Sequence, residues 1–583
     1  MHKRNSCCSP VRGWGFTAEY KKGEVIMKRK TVAIVLSAMM AIAALGGCGS
    51  TTANVESEKL EESQKAGEDG TAQSEGLAPL TFVRAQDSTV ESSVFAKMEG
   101  STYEDNIWTD LIAEKLGYDV TYLWIASDGD LYKQKFNAAI SSGEIPDIAS
   151  VGKEDLKRLV DADLIVDLKP YIDEYASDYV KQLYDTVGDS AFDAVTYNGS
   201  VYGLPISDCD IERAQILWLR QDWLDALNLS APASIDELKE VLRAFKDYAG
   251  EGGIGLEMGN DLYGNQFDIK GICNAYHAYP TYWVEDKEGS LVYGSTTPEM
   301  KQALSTLAEL YAEGLIDQEF YVNDNQKAAE ALVNGKCGAM YGFHATPLDF
   351  LQTVKNAIPE ADWKPFMIPM EDAGEKAAPG IEMATTSWYV VSKNCEHPEA
   401  LIQLMNLYCE KVLDPEKNEY TVYANPGNGV EGVWKLAPVS ITSTPDKNQA
   451  TTKAIAEPLK TGEPGDLTGE QYSMWEYCYK ALQGDDSMWG WLGVFGEEGG
   501  QSILLKYQDP ENAAPVYNKF VSAPGEVMTA KKSTLDDMLD QTFLKIISGQ
   551  EKIDAFDKVV EEWKNAGGND MTAEVNEWYS SNK

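Results

Sequence analysis

Side chains suited to binding a polar, ring-shaped molecule stand where strands are predicted to end or loops to begin. They combine flat aromatic rings with carboxylate, guanidinium and imidazole groups. Aromatic rings stack on the apolar C–H faces of sugars, while charged and amide groups pair with the sugar hydroxyls. The candidate ligand-binding residues are Trp124, Asp147, Asp208, Trp218, Arg220, Trp283, Tyr341, His344, Trp388 and Trp491.

Several of these side chains have a plainer alternative role. Arg220 can pair with Asp222 or Asp225. Asp147 can cap the following helix, and His344 can be a surface residue. Most tryptophans of a large domain are at least partly buried in its core. On helical patterns we predict packing roles for Trp108, Trp223, Trp563 and Trp578.

Catalysis is the rival interpretation, and sequence patterns lend it little support. No G-x-S-x-G, H-E-x-x-H or P-loop pattern is present, and the chain has only four histidines. Paired carboxylates could serve a surface glycosidase. With 93 acidic residues, however, some pairs near any cleft arise by chance. We therefore assign no catalytic residue and expect a protein that is not an enzyme.

Metal and cofactor sites are not indicated either. The cysteines after residue 48 are widely spaced without a C-x-x-C pair, which argues against zinc. No stretch follows the D-x-D-x-D-G spacing of a calcium loop. We assign no metal and no cofactor, and expect most cysteines to be small buried apolar residues. Disulfide pairing is left open, since spacing does not determine it.

The composition describes a large, acidic, globular protein. A chain of 583 residues is longer than one that usually folds around a single hydrophobic core, so two or more lobes are expected. The formal charge is −43, which repels the phosphates of nucleic acids and anionic lipid headgroups. We therefore expect no nucleic-acid partner.

Local patterns predict alternating strands and helices at the start of the folded body. Strands are expected at residues 80–83 and 120–124, with helices at 107–116 and 131–141. Such a βαβα order favours a mostly parallel sheet covered by helices. Further on, Ser234 and Glu237 form a capping-box pattern, and Pro298 suits a first helical turn.

The segment from Met27 to Cys48 has the pattern of an export signal. Three basic residues precede an apolar run of roughly 15 residues, shorter than the ~20 that span a bilayer. Its ending, Leu45-Gly46-Gly47-Cys48, resembles the lipobox of bacterial lipoproteins, in which the cysteine thiol is diacylated and the signal is cut just before it. The alternative is an ordinary signal with a chance cysteine. Residues 48–78 lack aromatic residues and predict a flexible tether.

Several motifs further along the chain resemble one protein family. They are GEIPDI at 143–148, YNGSVYGLP at 197–205, WLRQDWL at 218–224, GLIDQEF at 314–320 and WYVVSKNCEHPE at 388–399. Their order is similar to that in extracellular solute-binding proteins of ABC importers that take sugars and oligosaccharides. The end of the chain, including Trp563 and Trp578, resembles the large Gram-positive lipoprotein branch. Residues 420–520 match least and suggest an insertion.

The resemblance implies a fold, a division of the chain and a set of partners. It implies an α/β periplasmic-binding-protein-like fold: two lobes, a ligand cleft and two or three crossing segments. Lobe 1 would span 79–205 plus about 380–440, and lobe 2 would span 206–379 plus about 441–583. The ligand would be a carbohydrate, delivered to ABC permease subunits by a monomer lipid-anchored outside the cell membrane. The open alternatives are a non-sugar solute, such as a peptide or cation, and a surface glycosidase.

The start of the chain generates a prediction. Lys21-Lys22-Gly23-Glu24 can be encoded by a purine-rich ribosome-binding site upstream of Met27, so residues 1–26 would be an untranslated leader and 27–47 the signal peptide. Mass spectrometry of the protein from native cells should find no peptide from residues 1–26, and a lipid-modified Cys48 at the mature amino terminus. Peptides from residues 1–26 would contradict the Met27 start, and an unmodified Cys48 would contradict the anchor.

Overall fold

The computed structural model describes residues 76–582 except 427–429, 431 and 468. The leader, the signal peptide, Cys48 and nearly all of the predicted tether lie outside the described residues. Among the helices that are described, none has the length and apolar character needed to span a membrane. The cysteines of the described part are unpaired, and all but Cys395 are buried, which confirms their expected packing role.

Strands and helices follow one another through the described residues. The strands are β1 Ala78–Ala85, β2 Tyr118–Ala126, β3 Ile148–Val151, β4 Thr196–Tyr197, β5 Ser200–Val201, β6 Leu204–Pro205, β7 Ile216–Arg220, β8 Trp283–Glu285, β9 Leu291–Tyr293, β10 Ala339–Gly342, β11 Trp363–Phe366, β12 Gly380–Ile381, β13 Trp388–Val391 and β14 Val516–Tyr517. The α-helices are α1 Ile107–Leu116, α2 Gly129–Ser142, α3 Lys153–Asp161, α4 Lys169–Tyr175, α5 Asp178–Val187, α6 Asp189–Asp193, α7 Gln221–Leu227, α8 Ile235–Ala249, α9 Lys270–Ala275, α10 Pro298–Ala312, α11 Asn325–Val333, α12 Gln352–Ala357, α13 Ala400–Tyr408, α14 Tyr420–Tyr423, α15 Lys447–Thr461, α16 Gly469–Leu482, α17 Trp489–Phe495, α18 Gly500–Gln508, α19 Glu526–Ile547, α20 Ala555–Trp563 and α21 Asn569–Asn582.

Buried apolar side chains fall into separate cores, which define two lobes. The first lobe is built on side chains from residues 80–204 and 388–441. The second lobe is built on residues 209–381 and 503–575. The chain therefore crosses between the lobes near residues 205–209, 381–388 and 441–455. A smaller core between the last crossing and α18 joins α15, α16 and α17.

The first lobe begins with the predicted βαβα unit. β1 and β2 pair in parallel around α1, and α2 follows, as the alternation of strand and helix patterns predicted. The side chain of Asn106 caps α1 by accepting from the amides of Trp108 and Thr109, and Gly117 ends the helix at φ 74°. This unit places the carboxyl end of β1 at one edge of the lobe.

The sheets are more mixed than the expected mostly parallel arrangement. In the first lobe, β13 runs antiparallel to both β3 and β6. In the second lobe, β7 lies between β10 and β11 and is antiparallel to both. The difference has a topological reason: β13 returns to the first lobe after the crossing at 381–388 and enters its sheet in the opposite direction. The strand pattern alone does not reveal that return.

Helix starts in the second lobe follow the sequence signals closely. The Ser234 hydroxyl accepts the amide of Glu237 at 3.3 Å, as a capping box requires. The Glu237 carboxylate, however, accepts from the amide of Ala233 at 2.8 Å rather than from that of Ser234. Pro298 is the first residue of α10, where a missing N–H leaves no bond unmade.

The carboxyl-terminal helices complete the second lobe. Trp563 of α20 stacks on Tyr293 of the β8–β9 hairpin with ring centroids 5.5 Å apart. Asn576 of α21 pairs with both backbone groups of Leu291 in the same hairpin, at 2.8 Å each. The terminal segment therefore packs on the hairpin as an integral part of this lobe.

A close approach inside the second lobe generates a stability prediction. A Cβ at Gly271 in α9 would stand 2.0 Å from the ring of Tyr341, which is fully buried. Gly271→Ala should therefore lower the free energy of unfolding by about 1–3 kcal/mol, because the ring has no room to move. Urea denaturation followed by circular dichroism measures it. Gly129→Ala, where a Cβ meets no atom within 4 Å, is the matched control and should be near neutral. Equal effects of the two substitutions would contradict the packing.

Candidate ligand-binding cleft

A cavity of about 1110 Å³ opens where the strand ends of the first lobe face the second lobe. One wall is formed by the carboxyl ends of β1 and β3 and by the first turn of α3. The facing wall comes from residues 520–532, which lead from the first-lobe core into α19 of the second lobe. Ligands of open α/β sheets bind at the carboxyl ends of strands, so this cavity is the candidate ligand-binding cleft.

Aromatic rings and small hydroxyl groups alternate around the cleft. Tyr132 donates a hydrogen bond to the carbonyl of Ser150 at 2.9 Å, and Tyr389 accepts one from the amide of Ser440 at 3.0 Å, so both rings are held in place. The partly exposed rings of Tyr122, Tyr132 and Phe520 offer flat apolar faces beside hydrogen-bonding groups, the combination that sugar rings require. The aromatic lining is Phe82, Tyr122, Tyr132, Tyr389 and Phe520, and the hydroxyl lining includes Ser150, Ser387, Ser440 and Ser522.

The charged lining of the cleft is mostly basic, opposite to the charge of the whole protein. The carboxylates among the lining residues are Glu154 and Asp155. The basic lining residues are Arg84, Lys133, Lys153, Arg158, Lys435 and Lys532. A cationic solute was one of the open alternatives, and this basic lining disfavours it.

Two of these basic residues are held at the strand ends. The Arg84 guanidinium lies 4.1 Å from the ring centroid of Tyr103 and donates to the carbonyl of Lys435 at 3.2 Å. Lys153 is the first residue of α3, and only Gly152 separates it from the end of β3. Burial lowers the pKa of Lys153 to about 8, although Glu382 acts in the opposite direction.

Polar side chains join the three crossing segments beside the cleft. The Ser207 hydroxyl donates to the carbonyl of Ser443 at 2.6 Å, and the Ser443 amide donates back to Ser207 at 3.0 Å. The carboxylate of Asp210 accepts from the amide of Ala384 at 2.6 Å. The first crossing segment is therefore bonded to both of the others.

Glu212 is the centre of this junction. Its carboxylate accepts from Asn448 at 2.7 Å and from Gln501 at 2.9 Å. The His344 imidazole stands 3.5 Å from the other carboxylate oxygen. Burial lowers the pKa of His344 below its usual 6.5, an effect larger than the opposing influence of Glu212. We name this set of residues, with Gln449, the Glu212 junction.

The aromatic candidates at the predicted strand ends lie in the core instead of the cleft. The Trp388 ring is fully buried and donates from Nε1 to the carbonyl of Ala191 at 2.8 Å. The Trp218 ring is fully buried in the central strand β7 and donates to the carbonyl of Phe343 at 3.3 Å. Rings enclosed on both faces offer no stacking surface. The prediction that aromatic rings at these strand ends contact the ligand is therefore corrected for the four side chains that are at most 2% exposed: Trp218, Trp283, Tyr341 and Trp388.

The charged candidates hold the scaffold together, and the cleft lining does not include them. Asp147 accepts from the amide and hydroxyl of Thr81 at 2.8 and 2.6 Å, which ties β1 to the start of β3. Arg220 forms the bidentate pair with Asp222 that was its alternative role, at 2.7 and 2.6 Å. Asp208 lies near the first crossing, 3.5 Å from Arg213. His344 belongs to the Glu212 junction.

The two remaining tryptophans lie outside the cleft lining. Trp124 is partly exposed, with its ring 5.3 Å from that of Tyr132, a cleft residue. Trp491 packs in the small core near Tyr477, at 5.2 Å between centroids. The neighbouring Gly493 allows α17 to approach Pro347, since a Cβ there would stand 2.8 Å from that ring. The absence of a side chain at Gly493 therefore allows this face of α17 to be buried.

The residues that do line the cleft were missed, although a signal for them existed. The sequence pattern predicted a strand at 80–83, and the carboxyl-end rule points to Arg84, which follows it. The lining stretch from Gly152 to Asp155 follows β3, a strand that was not predicted. Residues 520–532 carried no such signal, because only the tertiary fold brings them opposite the strand ends.

Two α/β lobes, three crossing segments and a cleft at strand ends define a binding protein of the two-lobed class. Residues 98–409 match the family described as bacterial extracellular solute-binding protein, which is about half of the chain. The chain belongs to this family, which confirms the resemblance seen in the motifs.

Individual relatives extend the match beyond the family region. Lipoprotein LipO of Bacillus subtilis is 26% identical over 487 residues, covering 80% of this chain and 87% of LipO. The polygalacturonan/rhamnogalacturonan-binding protein YtcQ of the same organism is 28% identical over 220 residues, 36% of this chain and 41% of YtcQ. An HMO-binding, ABC-transporter-associated solute-binding protein of Bifidobacterium longum infantis superposes with a TM-score of 0.57 at 16% identity, over 86% of this chain and 99% of that one. This last likeness confirms the fold.

The buried imidazole of the Glu212 junction generates a pH prediction. The pKa of His344 is lower in the folded than in the unfolded protein, so its stability contribution is present above about 6.5 and is lost as pH falls below it. Measured by urea denaturation between pH 7.5 and 5, the wild type should therefore lose stability relative to His344→Gln. A difference in free energy of unfolding between the wild type and His344→Gln that does not change with pH would contradict the lowered pKa of His344.

Proposed function

We propose that this protein captures a carbohydrate, most simply an oligosaccharide, in the cleft and delivers it to the permease of an ABC importer. The observation that carries the proposal is the cleft itself: about 1110 Å³, with aromatic rings and hydroxyl groups side by side at strand ends. Family membership and relatives named for glycan binding, such as YtcQ, support it.

Capture rests on relative movement of two lobes. Contacts from a ligand to both the strand ends and the 520–532 wall would favour a closed arrangement over an open one. The Glu212 junction lies at the crossing segments, where such a movement must bend the chain. The boundaries we assign to the lobes are 79–205 with about 380–440 and 206–379 with about 441–583. They are supported by the cores that most of these segments join, although residues 455–495 form a small core of their own and Val521 packs in the first lobe.

Anchoring would keep the captured ligand near the permease. Diacylation of Cys48 and a flexible tether up to residue 78 would hold the protein on the outer face of the membrane. A tether of about 30 residues reaches roughly 30 Å on average, which keeps the body close to its partner. The name of the relative LipO, a lipoprotein, supports this anchor.

Binding without reaction is the second part of the proposal. The cleft carboxylates, Glu154 and Asp155, are neighbours on the first turn of α3, and Asp155 is paired with Arg158 at 2.8 Å. A glycosidase instead places two carboxyl groups on opposite sides of the scissile bond. We therefore expect bound glycan to be released intact.

A glycan titration tests the proposed function. Isothermal titration against a panel of neutral and acidic oligosaccharides should give at least one ligand with a dissociation constant at or below the micromolar range. Incubation with that ligand should release no new reducing ends. Binding of peptides or polyamines in place of every glycan would overturn the carbohydrate assignment. New reducing ends would overturn the non-enzymatic one.

A further inference from the structure

The cleft has a local charge that the rest of the molecule lacks. Its charged lining carries six basic and two acidic side chains, in a chain whose formal charge is −43. At physiological salt, charges more than roughly 8 Å away are largely screened. A ligand inside the cleft therefore experiences the lining and not the acidic exterior.

Half of the basic lining is already neutralised within the protein. Arg158 pairs with Asp155 at 2.8 Å, and Lys435 pairs with Asp87 at 3.0 Å. Lys532 pairs with Asp536 one turn further along α19. These pairs reduce the net charge offered to a ligand, so the remaining residues decide the character of the cleft.

The other basic residues have no carboxylate partner in the described part of the chain. No Asp or Glu oxygen of the described residues lies within 4.0 Å of the charged nitrogens of Arg84, Lys133 or Lys153. Glu382 influences Lys153 through space without forming an ion pair. Arg84 uses Nε and one Nη on backbone carbonyls, which leaves other guanidinium donors for a ligand.

Because Lys153 is partly buried, the lack of a carboxylate partner among the described residues destabilises its charged form. This lysine lies one residue beyond the end of β3 and loses enough hydration that burial lowers the pKa of its ammonium group to about 8. A partly buried ammonium group without a counterion is stabilised when an anion enters beside it. Lys133 on α2 is exposed and lines the same cavity.

We infer that the cleft takes an anionic carbohydrate, a glycan carrying carboxylate or sulfate groups, with Arg84, Lys133 and Lys153 as the residues that receive its charge. This inference rests on the proposed function. The aromatic lining binds the ring faces, and the unpaired cations select charged sugars over neutral ones. Selection of this kind comes from the difference between two affinities, so matched ligands are needed to test it.

The experiment compares acidic oligosaccharides with their own neutralised forms. The mature chain is titrated with galacturonate, mannuronate, glucuronate and sulfated oligosaccharides, with the methyl esters of the uronates and with neutral oligosaccharides of the same lengths. Methyl esterification removes the charge and keeps the ring. The tightest ligand should be anionic, and its ester or neutral counterpart should bind at least about tenfold more weakly, as expected for one charged hydrogen bond lost.

Substitutions then assign the selectivity to residues. Lys153→Met and Lys133→Met should each weaken binding of the anionic ligand, Lys153→Met by about tenfold, while changing the affinity for neutral sugars by less than about twofold. Lys287→Met, an exposed residue of the β8–β9 turn, is the matched control and should change neither affinity. Thermal denaturation of each variant verifies folding, and Lys133, being exposed, keeps the test available if Lys153→Met is unstable.

The outcomes separate the two claims. Neutral glycans that bind as tightly as anionic ones, or anionic binding that survives both lysine substitutions, would overturn the anionic selectivity and leave carbohydrate capture intact. Absence of binding to every glycan in the panel would overturn the proposed function together with the inference.

Discussion

Three chain segments cross between the lobes, and the polar groups buried at their meeting point must all find partners. The Glu212 carboxylate meets this constraint by accepting from Asn448 and Gln501, while Ser207 and Ser443 bond each other's backbone. A carboxylate held by several donors fixes the relative position of segments that are more than 200 residues apart in sequence. The orientation of the strand ends relative to the 520–532 wall, and hence the cleft, depends on this junction.

The distribution of charge gives the same protein two electrostatic environments. Its exterior is strongly acidic, which favours solubility and disfavours contact with anionic surfaces. The cleft is basic because Arg84, Lys133 and Lys153 stand at the ends of strands and on helices beside them, and no carboxylate of the described residues pairs with them. The net charge of the whole chain did not indicate that the cleft has the opposite sign. Salt screens distant charges, so the potential inside the cleft depends mainly on the charges nearest to it.

Aromatic residues show why the site was harder to predict than the fold. Trp218 and Trp388 do lie in strands as expected, but every residue of β7 and β13 is buried. The rings of these two tryptophans are enclosed on every side, whereas Tyr389, the next residue of β13, lies on the opposite face of the strand and reaches the cleft. Tyr132 and Tyr389 form the cleft instead, and their neighbours in sequence do not distinguish them from core tyrosines. The ends of α1 and α2 and the starts of α8 and α10 were predictable, because a glycine stop, a capping serine or a first-turn proline determines each of them locally.

The sequence by itself determined the class of protein, since the motif order and the βαβα start are local patterns that the two-lobed fold confirms. It also determined many helix ends, because a capping hydroxyl or a glycine acts within one turn. Only the tertiary structure decided the antiparallel return of β13, the partners of Glu212 and the identity of the cleft residues. These features depend on contacts between segments hundreds of residues apart. Burial and pairing of a side chain are properties of its spatial neighbours, and residue type and local spacing do not specify them.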